Sequence, residues 1–222
     1  MVPAPPHPAL ATLPARLDER VLGPDGLGFT VLHAGGLRLA LRPARPSDGD
    51  ALQSYVRGLT PHSRYNRFLG AVSELPPLEM ARALAANGLD TLTLLLVPMA
   101  QDRETVVGEA RVALSCAERA GEFAMSIAEG WRRLGFGSAL IAEIERRAAA
   151  DGIERLTGDV LRTNEGIIAL ALSRGFSLGP GLEGRLLRIE KRLEAAPDLP
   201  CRKWAEIAAG AERSAAPPQG AA

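Results

Sequence analysis

The sequence has no excess of charge of either sign: across 222 residues, 26 Lys and Arg are matched by 26 Asp and Glu. That balance argues against broad attraction to nucleic acid or an anionic membrane, while leaving room for a local basic pocket. Cysteine is scarce. Cys116 and Cys201 have no CxxC spacing and no nearby histidine, which argues against a structural zinc site and for a reducing, cytoplasmic setting. The three histidines, His7, His33 and His62, show neither metal-ligand nor catalytic-triad spacing, so no metal and no activated nucleophile are expected. Long apolar runs are missing too. The longest, 92–100, is interrupted by Thr93 and Pro98 and falls far short of a bilayer span. The opening MVPAPPHPALATLPAR lacks the charged and apolar blocks of a secretory signal.

What is present suffices for one sizeable core, since 46% of the residues are hydrophobic. We expect a single domain over 29–194. Before it, 1–28 reads as an irregular Pro- and Ala-rich tail, in which Leu13, Leu17 and Val21 at four-residue spacing allow a short helix stopped by Gly23-Pro24. After it, 195–222 reads as a tail with one short helix around Trp204.

Within the domain, 29–33 and 37–41 read as strands joined by a Gly35-Gly36 turn. Pro46-Ser47-Asp48 starts a helix with Ser47 or Asp48 as cap and Leu52, Tyr55 and Leu59 on its buried stripe. Thr60-Pro61 breaks it. Next comes HSRYNRFLG, read as a short helix pinned by Tyr65 and Phe68, with Arg64 and Arg67 solvated or paired with acids. A helix follows Pro76-Pro77. Two β-rich segments, 91–99 and 104–114, make a hairpin through 100–103. The alternating stretch 122–128 then leads through a charged turn into a helix over 135–151, which buries Phe136, Leu140, Ile141 and Ile144. Strand 156–161, a helix from Asn164 to Ser173, a strand from Gly175-Phe176 and a last strand over 186–193 complete the pattern. The strands over 122–128 and 156–161 are joined by a helical crossover and must therefore run parallel.

The chemistry concentrates in EFAMSIAEGWRRLGFGSA, 122–139. Gly135-Phe136-Gly137 strips a helix N-terminus of bulky side chains, and its free amides and dipole suit a phosphate or pyrophosphate. The turn is not the three-glycine dinucleotide fingerprint and lacks the P-loop Lys and Ser/Thr. A tight strand–helix connection with no ligand is the plainer alternative.

Arg132-x-x-Gly135-x-Gly137 after one strand, and Asn164 followed by Gly175-Phe176 after the next, resemble the GNAT family of N-acetyltransferases from about Leu37 to Leu193. Leu59-Thr-Pro-His-Ser-Arg-Tyr65-Asn-Arg67-Phe68 and Gly158-Asp-Val-Leu161-x-x-Asn164 are similar to the acetyltransferase domain of bacterial protein-lysine acetyltransferases. The resemblance implies an α+β fold, a mixed and mostly antiparallel sheet of six to seven strands with helices on both faces. In it the 122–128 and 156–161 strands are splayed by a bulge in the former.

It also implies acetyl-CoA as co-substrate. The amides of 133–138 (Arg133, Leu134, Gly135, Phe136, Gly137, Ser138) would wrap the pyrophosphate, with Arg132 and Arg133 as electrostatic help and the Ser138 hydroxyl as an added contact. Backbone groups of Ser126, Ile127 and Ala128 would pair with the pantetheine. Asn164 would bind the pantetheine, cap its helix, or do both.

Amine attack needs a proton acceptor, because a lysine near pKa 10.4 is about three units from reactive at neutral pH. Strict alternation puts Glu122, Ala124, Ser126 and Ala128 on one face of their strand and Phe123, Met125 and Ile127 on the other. Glu122 is thus the expected general base, matching the histone-type members of the family, with an ordinary surface glutamate as the alternative. Glu109, Glu129 and Asp159 are further candidates. Many family members carry a tyrosine seven residues after the asparagine, which protonates the leaving thiolate. Here that residue is Ala171. The expected activity is acetyl transfer from acetyl-CoA to a primary amine, preferably a protein lysine. A small amine, or a non-catalytic acyl-CoA sensor, is the alternative.

Overall fold

The computed structural model describes residues 16–22, 28–34, 36–85, 91–99 and 105–194. The central strand is the most apolar one. β4 (Thr91–Pro98, TLTLLLVP) is buried along almost its whole length, as a strand covered on both faces must be. Around it runs one sheet in the order β1-β2-β3-β4-β5-β6-β7-β9-β8. Its members are β1 (Arg16–Leu22), β2 (Gly28–Ala34), β3 (Leu37–Pro43), β5 (Gly108–Ser115), β6 (Ala120–Ile127), β7 (Arg155–Leu161), β8 (Ser177–Pro180) and β9 (Leu186–Arg192). Every neighbouring pair is antiparallel except β6 and β7. The expected mixed, mostly antiparallel sheet is therefore present, with nine strands rather than six or seven.

One added strand replaces an expected helix. Residues 16–22 form β1, antiparallel to β2. A lone helix of two turns is marginal in water, whereas β2 offers a whole edge of unpaired backbone groups, and pairing wins. The helix expected around Trp204 and the turn at 100–103 lie outside the described residues.

Helices α1 (Gly49–Gly58), α2 (Pro61–Phe68) and α3 (Pro77–Leu84) join β3 to β4, α4 (Phe136–Ala150) joins β6 to β7, and α5 (Glu165–Ser173) joins β7 to β8. The expected stripes are buried: Leu52, Tyr55 and Leu59 from α1 and its end, and Phe136, Leu140, Ile141 and Ile144 from α4. Asp48 precedes α1 but does not cap it with its side chain. Its carboxylate instead takes the guanidinium of buried Arg42 at 2.7 Å through each oxygen, and the Arg45 N–H at 2.6 Å.

Two faces result. Tyr55 on α1 bonds Ser126 on β6 at 2.9 Å, which puts the Glu122–Ala124–Ser126 face under α1 to α3. On the opposite face, a side chain at Gly137 of α4 would meet Leu170 of α5, Ile127 and Met125. Cys116, in the turn between β5 and β6, is disulfide-bonded, which removes the cysteine argument for a reducing compartment. Among the described residues no helix is long and apolar enough to cross a membrane.

Candidate active site

The site begins where β6 and β7 part. Their parallel ladder holds only at Ala120–Arg155, Gly121–Leu156 and Glu122–Thr157. Beyond it β7 stays paired with β9 through Leu161, so β7 follows β9 and leaves the β6 edge open. The expected splay is there, but not by a bulge in β6, whose register with β5 is unbroken from Ala120 to Ile127. The parting starts at Gly158, where the backbones come so close that a Cβ would stand 2.8 Å from the Phe123 carbonyl oxygen.

That contact fixes which backbone groups face the gap. The Phe123 carbonyl points toward β7, and alternation directs the peptide groups of Met125 and Ile127 to the same side. The Ala128 N–H instead donates to the Val107 carbonyl on the β5 side, at 2.9 Å. Of the three residues expected to offer backbone to a pantetheine, Ile127 is on the gap edge, with Met125 as its partner there. Ser126 and Ala128 share the other edge. The missed signal was the direction of the peptide groups, which alternates just as the side chains do.

At the end of β6 the chain turns through a short 3-10 turn (Glu129–Trp131) into α4. Arg133 and Gly135 take left-handed backbone, φ 61° and 85°. Gly135 suits this without strain, and it precedes a helix that no side chain caps. The first-turn amides of Phe136, Gly137 and Ser138 therefore have no helical acceptor and are free for an anion. Gly137 has a packing reason as well, since a Cβ there would lie 2.9 Å from Leu170 of α5. Arg133 is exposed beside this turn, whereas Arg132 is engaged: its Nε donates to the Ile127 carbonyl at 2.9 Å and a terminal nitrogen to the Ser63 hydroxyl at 2.7 Å. Asn164 caps α5 by accepting from the Ile167 N–H at 3.5 Å, and it lines the gap. Ala171 is completely buried.

The carboxylates separate into two groups. Glu109 is 1% exposed and held by Arg67 through bonds of 3.0 and 2.9 Å and by Arg111 at 3.0 Å. Burial alone would raise its pKa, but the charges and hydrogen bonds of the two arginines outweigh this and hold it below the usual range. Glu129 anchors α2: one oxygen accepts from the Thr60 N–H at 3.1 Å and the Thr60 hydroxyl at 2.6 Å. Burial again works upward, yet the hydrogen bonds from Ser63 and Thr60 prevail and set its pKa at about 2. Both acids are committed to structure.

Glu122 and Asp159 instead meet over one guanidinium. Arg188 on β9 lies 2.9 Å from Asp159 and 3.9 Å from Glu122. Glu122 is 59% exposed and Asp159 11%. Nothing in the sequence marked Arg188; its position opposite Asp159 follows from the β7–β9 register.

Two hollows flank these groups. A cavity of about 30 Å³ lies in the gap, between β6 (Phe123, Met125), β7 (Asp159), α5 and its cap (Ile167, Asn164) and α2 (Asn66, Arg67). A larger, open hollow of about 360 Å³ lies on the polar face at the N-terminal ends of β6 and β7, among Glu118, Glu122, Arg155, Arg188 and Glu190. Of these two, the smaller combines an open strand edge with buried polar atoms.

Comparison with known proteins agrees with this geometry. The model of the acetyltransferase (GNAT) family matches residues 65–176. An acetyltransferase of Pseudomonas aeruginosa is 23% identical over 141 residues, 64% of this chain and 76% of that protein. Among solved structures, the GNAT domain of S. lividans PAT superposes with a TM-score of 0.63 at 21% identity, covering 79% of this chain and 96% of that one. Arabidopsis thaliana NAA60 in complex with acetyl-CoA gives a TM-score of 0.57 at 15% identity, covering 71% and 99%.

Proposed function

The chain belongs to the GNAT family of acetyltransferases, and we propose that it acetylates lysine side chains of proteins from acetyl-CoA by direct attack of the amine. Acetyl-CoA-dependent acyl transfer is the family's reaction; the acceptor and the proton path are our reading. The observation that carries the acceptor is the open polar hollow beside the gap, lined by Glu118, Glu122, Glu190, Arg155 and Arg188. An enclosed pocket would grip a small amine on all sides, whereas an open hollow of mixed charge suits the flanks of a polypeptide.

In this reading the α4 amides and Gly135 take the pyrophosphate, with Arg133 as electrostatic help. The Met125–Ile127 edge pairs with the pantetheine, and one N–H of that edge polarises the thioester carbonyl. Proton removal falls to the carboxylate pair that Arg188 joins, Glu122 and Asp159. The thiolate is a good leaving group, and water or the amine itself supplies its proton in place of a tyrosine at 171.

The test is incubation with labelled acetyl-CoA and either a cell lysate or a panel of small amines, comparing wild type with Glu122→Gln and Asp159→Asn. Discrete labelled proteins, lost in at least one variant, are expected. Label appearing only on small amines would move the acceptor. CoA binding with no transfer to anything would make the protein a sensor.

A further inference from the structure

Two buried oxygens in the gap have no hydrogen-bond partner. Asp159 Oδ2 pairs with the Arg188 guanidinium at 2.9 Å, while its Oδ1 is buried and unpaired. Asn66 on α2 directs Nδ2 to His62 Nε2 at 3.1 Å, which leaves its Oδ1 buried and unpaired. Buried acceptors without donors are uncommon, because each carries an uncompensated desolvation cost. Here both belong to residues lining the same cavity of about 30 Å³, whose lining also includes Asn164, Arg67 (its charge taken up by Glu109), Phe123, Met125, Ile167 and Ile189. That volume is enough to hold at least one water-sized group.

We infer that Asp159 and Asn66 are the receptor for the acceptor's ammonium group, and that Asp159 rather than Glu122 takes its proton. The inference rests on the acetyl-transfer reading and names the chemistry that the site selects. A primary ammonium has three N–H donors and no acceptor, the complement of two unpaired oxygens. A hydroxyl brings one donor and no charge, so alcohols are poor acceptors.

The step balances with the groups named. One N–H proton passes to Asp159 Oδ1, giving a neutral carboxylic acid and a free amine lone pair. The nitrogen attacks the thioester carbonyl carbon as the C–N bond forms. The C–S bond then breaks, and the surplus proton on nitrogen goes to the departing thiolate. Asp159 returns its proton to solvent. Arg188 holds Oδ2 and so keeps Oδ1 turned inward, which makes it a positioning residue. Glu122, outside the cavity lining and mostly exposed, contributes charge near the entrance.

The experiment uses the full chain, acetyl-CoA and a lysine-containing peptide, with Asp159→Asn, Asn66→Ala and Glu122→Gln. Asp159→Asn is expected to lower kcat/KM for the peptide by about 10²- to 10⁴-fold, with CoA affinity unchanged. Asn66→Ala is expected to raise KM for the peptide about tenfold while kcat holds, the cost of one lost hydrogen bond. The pH profile separates a base from a structural role. With a base present, kcat/KM is flat near neutrality. Without it only neutral amine reacts, and kcat/KM climbs about tenfold per pH unit toward 10.4. A flat neutral profile in Asp159→Asn would overturn the assignment, as would the climbing profile appearing in Glu122→Gln instead. Peptide binding to the CoA-loaded protein is titrated in parallel and needs no turnover. If wild type transfers no acetyl group, the transfer reading fails, yet weakened binding in Asp159→Asn and Asn66→Ala would still support the receptor. Unchanged binding in both would reject it.

Discussion

Arg67 on α2 grips Glu109 on β5 through both ends of its guanidinium, Nε to Oε2 at 3.0 Å and a terminal nitrogen to Oε1 at 2.9 Å. The two side chains are 7% and 1% exposed, so the pair is cut off from water. It ties the helix that carries Asn66 to the strand beside β6, and thereby sets one wall of the gap. Removing the arginine leaves a buried carboxylate with only Arg111 to compensate it. We predict that Arg67→Ala costs about 3 kcal/mol of stability, the lower end for a broken buried pair because Arg111 remains. Urea unfolding measures it, and a loss no larger than that of an exposed pair such as Arg57–Glu74 would contradict the account.

Acid should loosen α2 first. Glu129 has a native pKa of about 2 against an ordinary 4.5, and Glu109 is also depressed. A carboxylate depressed in the native state adds stability that is present above its unfolded value and lost as pH falls through its folded one. The loss from Glu129 thus runs from about pH 4.5 down to about 2. Unfolding midpoints of Glu129→Gln, measured across that window, should fall less steeply with acid than those of wild type. Parallel curves would show that Glu129 is not the titrating group.

Gly158 sets how closely β6 and β7 approach. Gly158→Ala places a carbon 2.8 Å from the Phe123 carbonyl, a backbone atom that cannot rotate away. The strands must separate by some tenths of an ångström, at about 1–3 kcal/mol. We expect a lower Tm together with a drop in kcat of about tenfold, since the reacting groups stand on these two strands. A fall in Tm with kcat intact would show that the gap tolerates the shift.

Much of the fold was legible because periodicity reports burial. The stripe of α4, the hairpin of β2 and β3, and the alternation of β6 each followed from side chains two or four positions apart. What failed was local pattern without context: Leu13, Leu17 and Val21 match a helix as well as anything, and only the waiting edge of β2 makes 16–22 a strand. The site was legible in its backbone half, since Gly135, Gly137 and Asn164 mark a free helix start and a cap. Its side-chain half was not. Tyr55–Ser126, Arg67–Glu109 and Arg188–Asp159 join segments that are distant in sequence, and only the sheet register brings them together. Glu109 and Glu129 were plausible bases on strand position alone; the arginines and hydroxyls around them spoke against it.

Arg132 illustrates the same limit. Beside the anion-binding turn it reads as phosphate help, yet it bonds the Ile127 carbonyl and the Ser63 hydroxyl. Arg132→Ala should therefore disturb the junction of β6 and α2, lowering Tm, whereas Arg133→Ala should weaken CoA with little change in Tm. Calorimetry on both variants, with a CoA titration, distinguishes the roles. The reverse pattern would return Arg132 to the phosphates.

The most direct test of the site is amide hydrogen exchange with and without CoA. In the proposed complex CoA lies along the edge formed by Met125 and Ile127 and over the amides of Arg133 to Ser138. Those amides should become protected on binding, while amides already paired within the sheet, such as Ala128, change little. Binding that protects some other stretch, and leaves Met125, Ile127 and 133–138 as they were, would contradict that placement.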